Sequence, residues 1–259
     1  MRPANRPDRR RTVLAICRRS VLALTTNPAL LVPALLFPLL FFAAFAGGLS
    51  RLAEAPMFSY APGYTTFEFA FVLLQTAAFT GVLVGAELAH DLESGFARRL
   101  LLAAPSHASV LSGYACSAVV RLLISGTVLT AVALAAGAAI AWSPADLAGA
   151  AALAILVNLA AVAFGTGVAL RLPIASAGPL MQAPVLVVLF LAPVYVPLGL
   201  LEGWVHAVAT WNPMTAVLGA VRDSFAGDGG DIVPVAAIGA AAVAALALWS
   251  WRGLARLDD

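Results

Sequence analysis

Four stretches of this sequence, residues 29–49, 147–170, 178–199 and 232–251, carry no charged side chain. Each is long enough to cross the hydrocarbon of a bilayer, which takes about 20 residues at helical rise. Residues 67–88 and 112–141 are almost as apolar, interrupted by Glu68, Glu87 and Arg121. The whole chain is 62% hydrophobic and 11% charged, with a mean hydropathy of +0.95. Water-soluble domains run at about 45–50% apolar and about 25% charged. A soluble fold made from this composition would expose apolar patches large enough to aggregate. The sequence therefore predicts an all-α polytopic membrane protein with six transmembrane helices. Pro33, Pro38, Pro184 and Pro193 fall inside these spans, where neighbouring helices satisfy the backbone groups a proline frees.

Arginine placement predicts the orientation, because basic residues collect on the cytoplasmic side. With the N-terminus inside, twelve of the fifteen basic residues are cytoplasmic: Arg2, Arg6, Arg9, Arg10, Arg11, Arg18, Arg19, Arg98, Arg99, Arg171, Arg252 and Arg256. Only Arg51 and Arg222 fall outside, and Arg121 lies within a span, from which it can snorkel inwards. Both termini are thus expected in the cytoplasm. The basic N-terminus does not read as a cleaved signal, since Arg18 and Arg19 interrupt its apolar segment. Residues 1–27 form one expected unit, an arginine-rich interfacial helix, and residues 28–259 the single transmembrane domain.

Three polar segments carry information. In residues 11–25, Val13, Ile16, Cys17, Val21 and Leu24 share one helical face while Arg11, Arg18 and Arg19 fall on the other. That pattern suits a helix lying at the membrane surface with its arginines towards anionic headgroups. Residues 87–107, ELAHDLESGFARRLLLAAPSH, gather Glu87, Asp91, Glu93, Arg98 and Arg99. Wound as a helix, Glu87, Asp91 and Arg98 project from one side, and Leu92, Phe96, Leu100 and Ala103 from the other. Gly95 weakens one continuous helix, and Pro105 ends it. By spacing alone the segment is either a solvated topogenic loop or a docking surface, with charge for register and the stripe for packing. Residues 200–231 contain Trp204 and Trp211, suited to a membrane–water interface. There Asn212 precedes Pro213, an N-cap followed by proline at the first helical position. Two short helices, about 200–210 and 213–225, are expected on the external side.

Within the spans, Gln75, Arg121 and Asn158 are candidates for lining a path, because polar groups in hydrocarbon are costly. Gln75 and Asn158 can equally hydrogen-bond between helices, and Glu68 and Glu87 lie near span ends, within reach of water. His90, His107 and His206 are isolated, and no HExxH or GxSxG occurs. Cys17 and Cys116 read as two small inert apolar residues. The chain contains no lysine and so no phosphate-binding loop of the GxxxxGK type. If ATP powers this protein, another chain binds it.

Six spans, a basic amphipathic helix at the start, DLESGFARRLLLAAPSH after the second span and VPLGLLEGWVHAVATWNPMTAVLGAVRDSF before the sixth together resemble the type-2 ATP-binding-cassette exporter permeases. The daunorubicin-resistance and multidrug group is the most similar in pattern. The resemblance covers nearly the whole chain. It implies that Glu87, Asp91, Glu93, Gly95, Phe96, Arg98, Arg99 and Pro105 belong to a cytoplasmic coupling segment against a nucleotide-binding subunit. Arg11, Arg18 and Arg19 then lie on a connecting helix near the same partner. Trp204, Trp211, Asn212, Pro213 and Arg222 belong to external half-helices. It further implies a non-enzymatic permease that binds no cofactor itself, with ATP and Mg on the partner ATPase, and a second permease copy in the bacterial cytoplasmic membrane. Nucleic acid has no place in this reading. A secondary transporter, a channel, a structural membrane subunit or a polysaccharide-exporting permease are the alternatives.

Overall fold

The computed structural model describes residues 8–26, 36–49, 51, 54, 58–141, 143–229 and 231–254. The expected start of the first span (29–35), and Arg2, Arg6 and Arg256, lie outside the described residues. Within them the chain is helical, with no strand. In chain order the helices are α1 (Arg9–Thr26), α2 (Leu36–Gly47), α3 (Gly63–Glu93), α4 (Phe96–Ala103), α5 (His107–Ala135), α6 (Pro144–Ala169), α7 (Gly178–Phe190), α8 (Gly203–Trp211), α9 (Pro213–Ala226) and α10 (Ile232–Leu254). Four of them, α3, α5, α6 and α10, are long and apolar enough to cross a membrane, and α2 and α7 are shorter apolar helices.

The 31-residue α3 is the axis of the bundle. It is packed by α5, α6, α7 and α9 along its length and by α2 and α4. Its tightest neighbour is α6, and glycine is the reason. A Cβ on Gly81 would lie 2.5 Å from the Asn158 carbonyl oxygen, and one on Gly85 would lie 2.6 Å from the Cα of Gly165. The sequence G-V-L-V-G at 81–85 is thus a small-xxx-small seam that lets two backbones touch. The Asn158 amide crosses the same seam, donating to the Ala77 carbonyl at 2.8 Å and to Thr80 Oγ1 at 3.0 Å.

Outermost is α10. It packs on α6 and α9, with Ile232 over Gly149, Trp249 over Gly167 and Ser250 hydrogen-bonded to Thr166 at 3.0 Å. The opposite face presents Val233, 80% exposed, together with Ile238, Leu248 and Trp251. Such a face is admissible only where hydrocarbon, not water, is the solvent.

The expected fifth span, 178–199, is shorter than the sequence indicated. Its helix ends at Phe190, and residues 191–202 turn irregularly through Leu198–Leu200. Pro193 and Pro197 explain this, since neither supplies an N–H and each disfavours helix at the residue before it. Near the start of the next segment the reading holds. Asn212 Oδ1 caps α9 by accepting from the Met214 N–H at 2.9 Å, with Pro213 at the first helical position. Asn212 Nδ2 also donates to the Val188 carbonyl, tying these half-helices to α7.

Gly85→Val drives a branched side chain into the backbone of Gly165, and a loss of about 1–3 kcal/mol is expected from overpacking. A lowered thermal midpoint of the purified protein in detergent checks it. Gly219→Ala, where an added Cβ meets nothing within 4 Å, is expected to be neutral or stabilising in the same assay.

Candidate functional site: ion pairs at the arginine-rich end

The acids of the 87–107 segment do not share one outward face. α3 continues through Asp91 to Glu93, and the chain then turns at Gly95, whose φ of 73° is the left-handed conformation that favours glycine. Only after that turn does α4 begin. Asp91 consequently points inwards and is buried, whereas Arg98 and Arg99 on α4 are exposed. The expectation that Asp91 and Arg98 lie on the same side fails at this break.

Asp91 is satisfied within the chain. Arg19 of α1 grips it in bidentate fashion, Nη1 to Oδ2 at 2.8 Å and Nη2 to Oδ1 at 2.7 Å. The Tyr114 hydroxyl of α5 donates to the same carboxylate, and the Arg19 guanidinium lies 4.3 Å from the centre of the Phe96 ring on α4. One turn earlier on α3, Glu87 accepts from Arg121 Nη2 at 2.6 Å and from the Ser20 hydroxyl at 2.8 Å. Ser20 in turn contacts Ser117 at 3.0 Å, and its carbonyl accepts from Arg121. Two ion pairs, reinforced by hydroxyls, thus clasp α1, α3 and α5 together.

This arrangement alters the reading of α1. Its apolar face, with Ile16, Cys17 and Leu24 buried, lies against α5 rather than against lipid. The fit is close, since a Cβ on Gly113 would lie 2.7 Å from Ile16 Cβ. Arg19, half-buried, is the partner of Asp91, while Arg11 and Arg18 remain exposed. Cys17 and Cys116, remote in sequence, meet across this interface as free thiols. Burial, then the neighbouring Cys116, pushes the Cys17 thiol up to about 11, which leaves it protonated and unreactive.

Glu93 Oε2 accepts from the Ala175 N–H at 2.8 Å just before α7. What α4 leaves outward is Arg98, Arg99 and Leu102, the last 87% exposed, followed by Pro105. Neither arginine makes an ion pair among the described residues. Phe96 lies under Arg19, and Ala97 is fully buried, so the outer face of α4 is rooted directly in the clasp.

At the other end of α3, Arg222, expected on the half-helices before the sixth span, lies on α9 and is buried. Its guanidinium donates to the carbonyls of Pro193 and Val194, each at 2.8 Å, and to that of Phe67 at 3.2 Å, while lying over the Phe67 ring. These carbonyls belong to the stretch where α7 has stopped and to the first turns of α3. Arg222 supplies the donors that the broken helix lacks. Trp204 and Trp211 on α8 are exposed, at 70% and 88%.

The path-lining candidates separate. Arg121 and Asn158 are engaged as described above, apart from Arg121 Nε and Asn158 Oδ1, which have no partner among the described residues. Gln75 is fully buried and neither of its amide atoms has a partner among the described residues; the same holds for both carboxylate oxygens of Glu68, which does not reach water as its place near the span end suggested. Both lie on the α3 face that carries Phe71 and Phe79. These rings meet Phe190 of α7 at 5.5 Å and Phe37 of α2 at 5.6 Å.

Residues 11–226 match the family described as ABC-2 type transporter, the ABC2_membrane domain. No curated protein matches the chain.

Asp91→Asn or Arg19→Ala removes one partner of the clasp. About 2–3 kcal/mol is expected, below the range for a fully buried pair because Arg19 stays partly exposed. Limited proteolysis within α1 is expected to accelerate, and the exchange of the two residues, Arg19→Asp with Asp91→Arg, to restore protection in part. Gln75→Leu removes two orphaned polar atoms at similar volume and is expected to raise the thermal midpoint.

Proposed function

The chain belongs to the ABC-2 type transporter family and is the membrane permease component of such a transporter, and we propose that it works as an exporter. In this reading a separate ATPase supplies the energy, and an apolar or amphipathic substrate, drug-like or lipid-like, leaves across the cytoplasmic membrane. The observation that carries the coupling is the outward face of α4. Arg98, Arg99 and Leu102 are uncommitted and exposed at the arginine-rich end, and the helix that bears them is anchored through Phe96 to the Arg19–Asp91 pair. A surface with charge at its rim and one protruding leucine suits a protein partner. A displacement of α4 by that partner is delivered to α1, α3 and α5 together, because the clasp joins all three.

The orientation follows the arginines, with α1 and α4 in the cytoplasm and the half-helices α8 and α9 at the outer surface. ATP and Mg belong to the partner subunit, and a second permease copy completes the assembly. Gln75 and Glu68, with the aromatic rings beside them, offer the substrate polar atoms not committed to any internal bond. Export requires that the ATPase bind one conformation of this chain better than the other, since only differential affinity shifts a conformational equilibrium.

The test is co-purification. The permease is coexpressed with its candidate ATPase, with Arg98→Glu and Arg99→Glu introduced together. Recovery of ATPase is expected to fall at least about tenfold while the amount of inserted, folded permease is unchanged. Undiminished recovery would count against α4 as the docking element. A wild-type permease that never carries an ATPase would remove the ATP-driven reading altogether.

A further inference from the structure

Between α5 and α6, at the end of the bundle opposite the arginine-rich one, lies an open apolar groove of about 450 Å³. Leu123 and Gly126 of α5 and Ala151 and Ala154 of α6 wall it, and Leu73 and Phe225 contribute to its floor. Two threonines of α5 also border it, yet neither offers a free donor. Thr127 donates to the Leu123 carbonyl and Thr130 to the Gly126 carbonyl, each at 2.7 Å. The groove therefore presents carbon to whatever enters.

Gly126 shows that the space is kept open. Elsewhere in the spanning helices a Cβ on Gly81, Gly85, Gly113, Gly149 or Gly167 would collide with a neighbouring helix, whereas one on Gly239 of α10 would make only ordinary contact with Leu156. At Gly126 an added Cβ would meet only Leu73 at 3.6 Å and Leu122 at 4.0 Å, ordinary contact distances. Glycine inside a helix costs about 1 kcal/mol relative to alanine, and here that cost admits no protein neighbour. It leaves room at the mouth of the groove.

We propose that the groove is a lipid site that holds one acyl chain of a phospholipid from the adjoining leaflet. Size selects among occupants. A helix is about 10–12 Å across with its side chains, so two turns fill on the order of 1,000 Å³, more than twice the groove. A single hydrocarbon chain fills a groove of this volume, whereas a helix of a second copy would seat only a ridge of its side chains there. The walls are two helices long enough to span the membrane, so the medium at the opening is acyl chain. Close packing along Leu73 and Phe225 distinguishes the seated chain from those sliding over α10. With the arginine-rich end inside, the leaflet is the outer one. The site requires membrane insertion but neither export nor an ATPase.

The full-length permease, purified and returned to phosphatidylethanolamine–phosphatidylglycerol bilayers, is illuminated with a phospholipid that carries a diazirine in mid-chain. Adducts are then mapped by peptide mass spectrometry. Labelling at Leu123, Gly126 and Ala151 is expected to exceed severalfold that at Val233 and Ile238 of α10, which are more exposed than Leu123. Gly126→Leu is expected to bring groove labelling down to the α10 level and leave α10 unchanged. Ala151→Leu, from the opposite and exposed wall, serves if Gly126→Leu does not fold. Groove labelling no higher than that of α10, or labelling indifferent to both fillings, overturns the proposal. So does a disulfide-linked dimer from Leu123→Cys in a Cys17→Ser, Cys116→Ser background, because a second copy would then occupy the groove.

Discussion

Away from water, a backbone carbonyl or a charge has to find its partner inside the chain, and guanidinium groups meet that demand at both ends of α3. Arg222 reaches the carbonyls left free where α7 stops at Phe190, and Arg19 and Arg121 reach the carboxylates of Asp91 and Glu87. The choice of arginine follows from its planar fork of donors, which serves two acceptors at once and stays charged when buried. Between these two ends, α3 runs through the interior with few polar groups and is held by close packing instead. Its glycines admit α6, and the small-residue seam does what the hydrophobic effect cannot do between helices already surrounded by lipid.

This division gives the bundle parts with different attachments. α1, α3 and α5 are joined by charge and cannot separate without leaving the buried Asp91 or the half-buried Glu87 unpaired. α6 is joined to α3 backbone to backbone. α10 is held to α6 by ring and glycine contacts and one hydroxyl pair, and Arg171, just beyond α6, donates to the Trp249 carbonyl at 2.8 Å and lies over the Trp249 ring. The exposed face of α4 stands beside the charge-joined group. A push at α4 therefore moves three helices as a block, and the remaining elements respond through packing.

The membrane class, the helical architecture and most helix positions were legible in the sequence, because uncharged runs of span length have few alternatives. The cap at Asn212–Pro213 was equally legible, since it depends on two adjacent residues. The break at Gly95 was foreshadowed by the glycine itself, but the sequence could not say that it would turn Asp91 inwards and Arg98 outwards. The Arg19–Asp91 and Arg121–Glu87 pairs were hidden for a different reason. Their members are separated by 72 and 34 residues, and charge alone does not choose between a partner in the same chain, a headgroup and another protein. The burial of Arg222 was hidden because arginine counting assigns sides by segment and says nothing of a carbonyl cage. The G-V-L-V-G seam at 81–85 was readable and went unread. The meeting of Cys17 with Cys116 left no local signal at all.

The two long sides of α3 now differ in how fully their polar groups are committed. Towards α6, the Asn158 amide nitrogen and the Thr80 hydroxyl are bonded, Asn158 Oδ1 alone lacks a partner, and glycines leave no slack. Towards α2 and α7, Glu68 and Gln75 keep four polar atoms without partners, set among aromatic rings. In hydrocarbon such atoms are costly, so this is the side on which the folded chain gains from a change of surroundings. It is also the side on which the helix of α7 ends early and hangs on Arg222. Rearrangement along α2 and α7 can supply new partners to Glu68 and Gln75, whereas along α6 only Asn158 Oδ1 stands to gain one, at the loss of the backbone contacts already made.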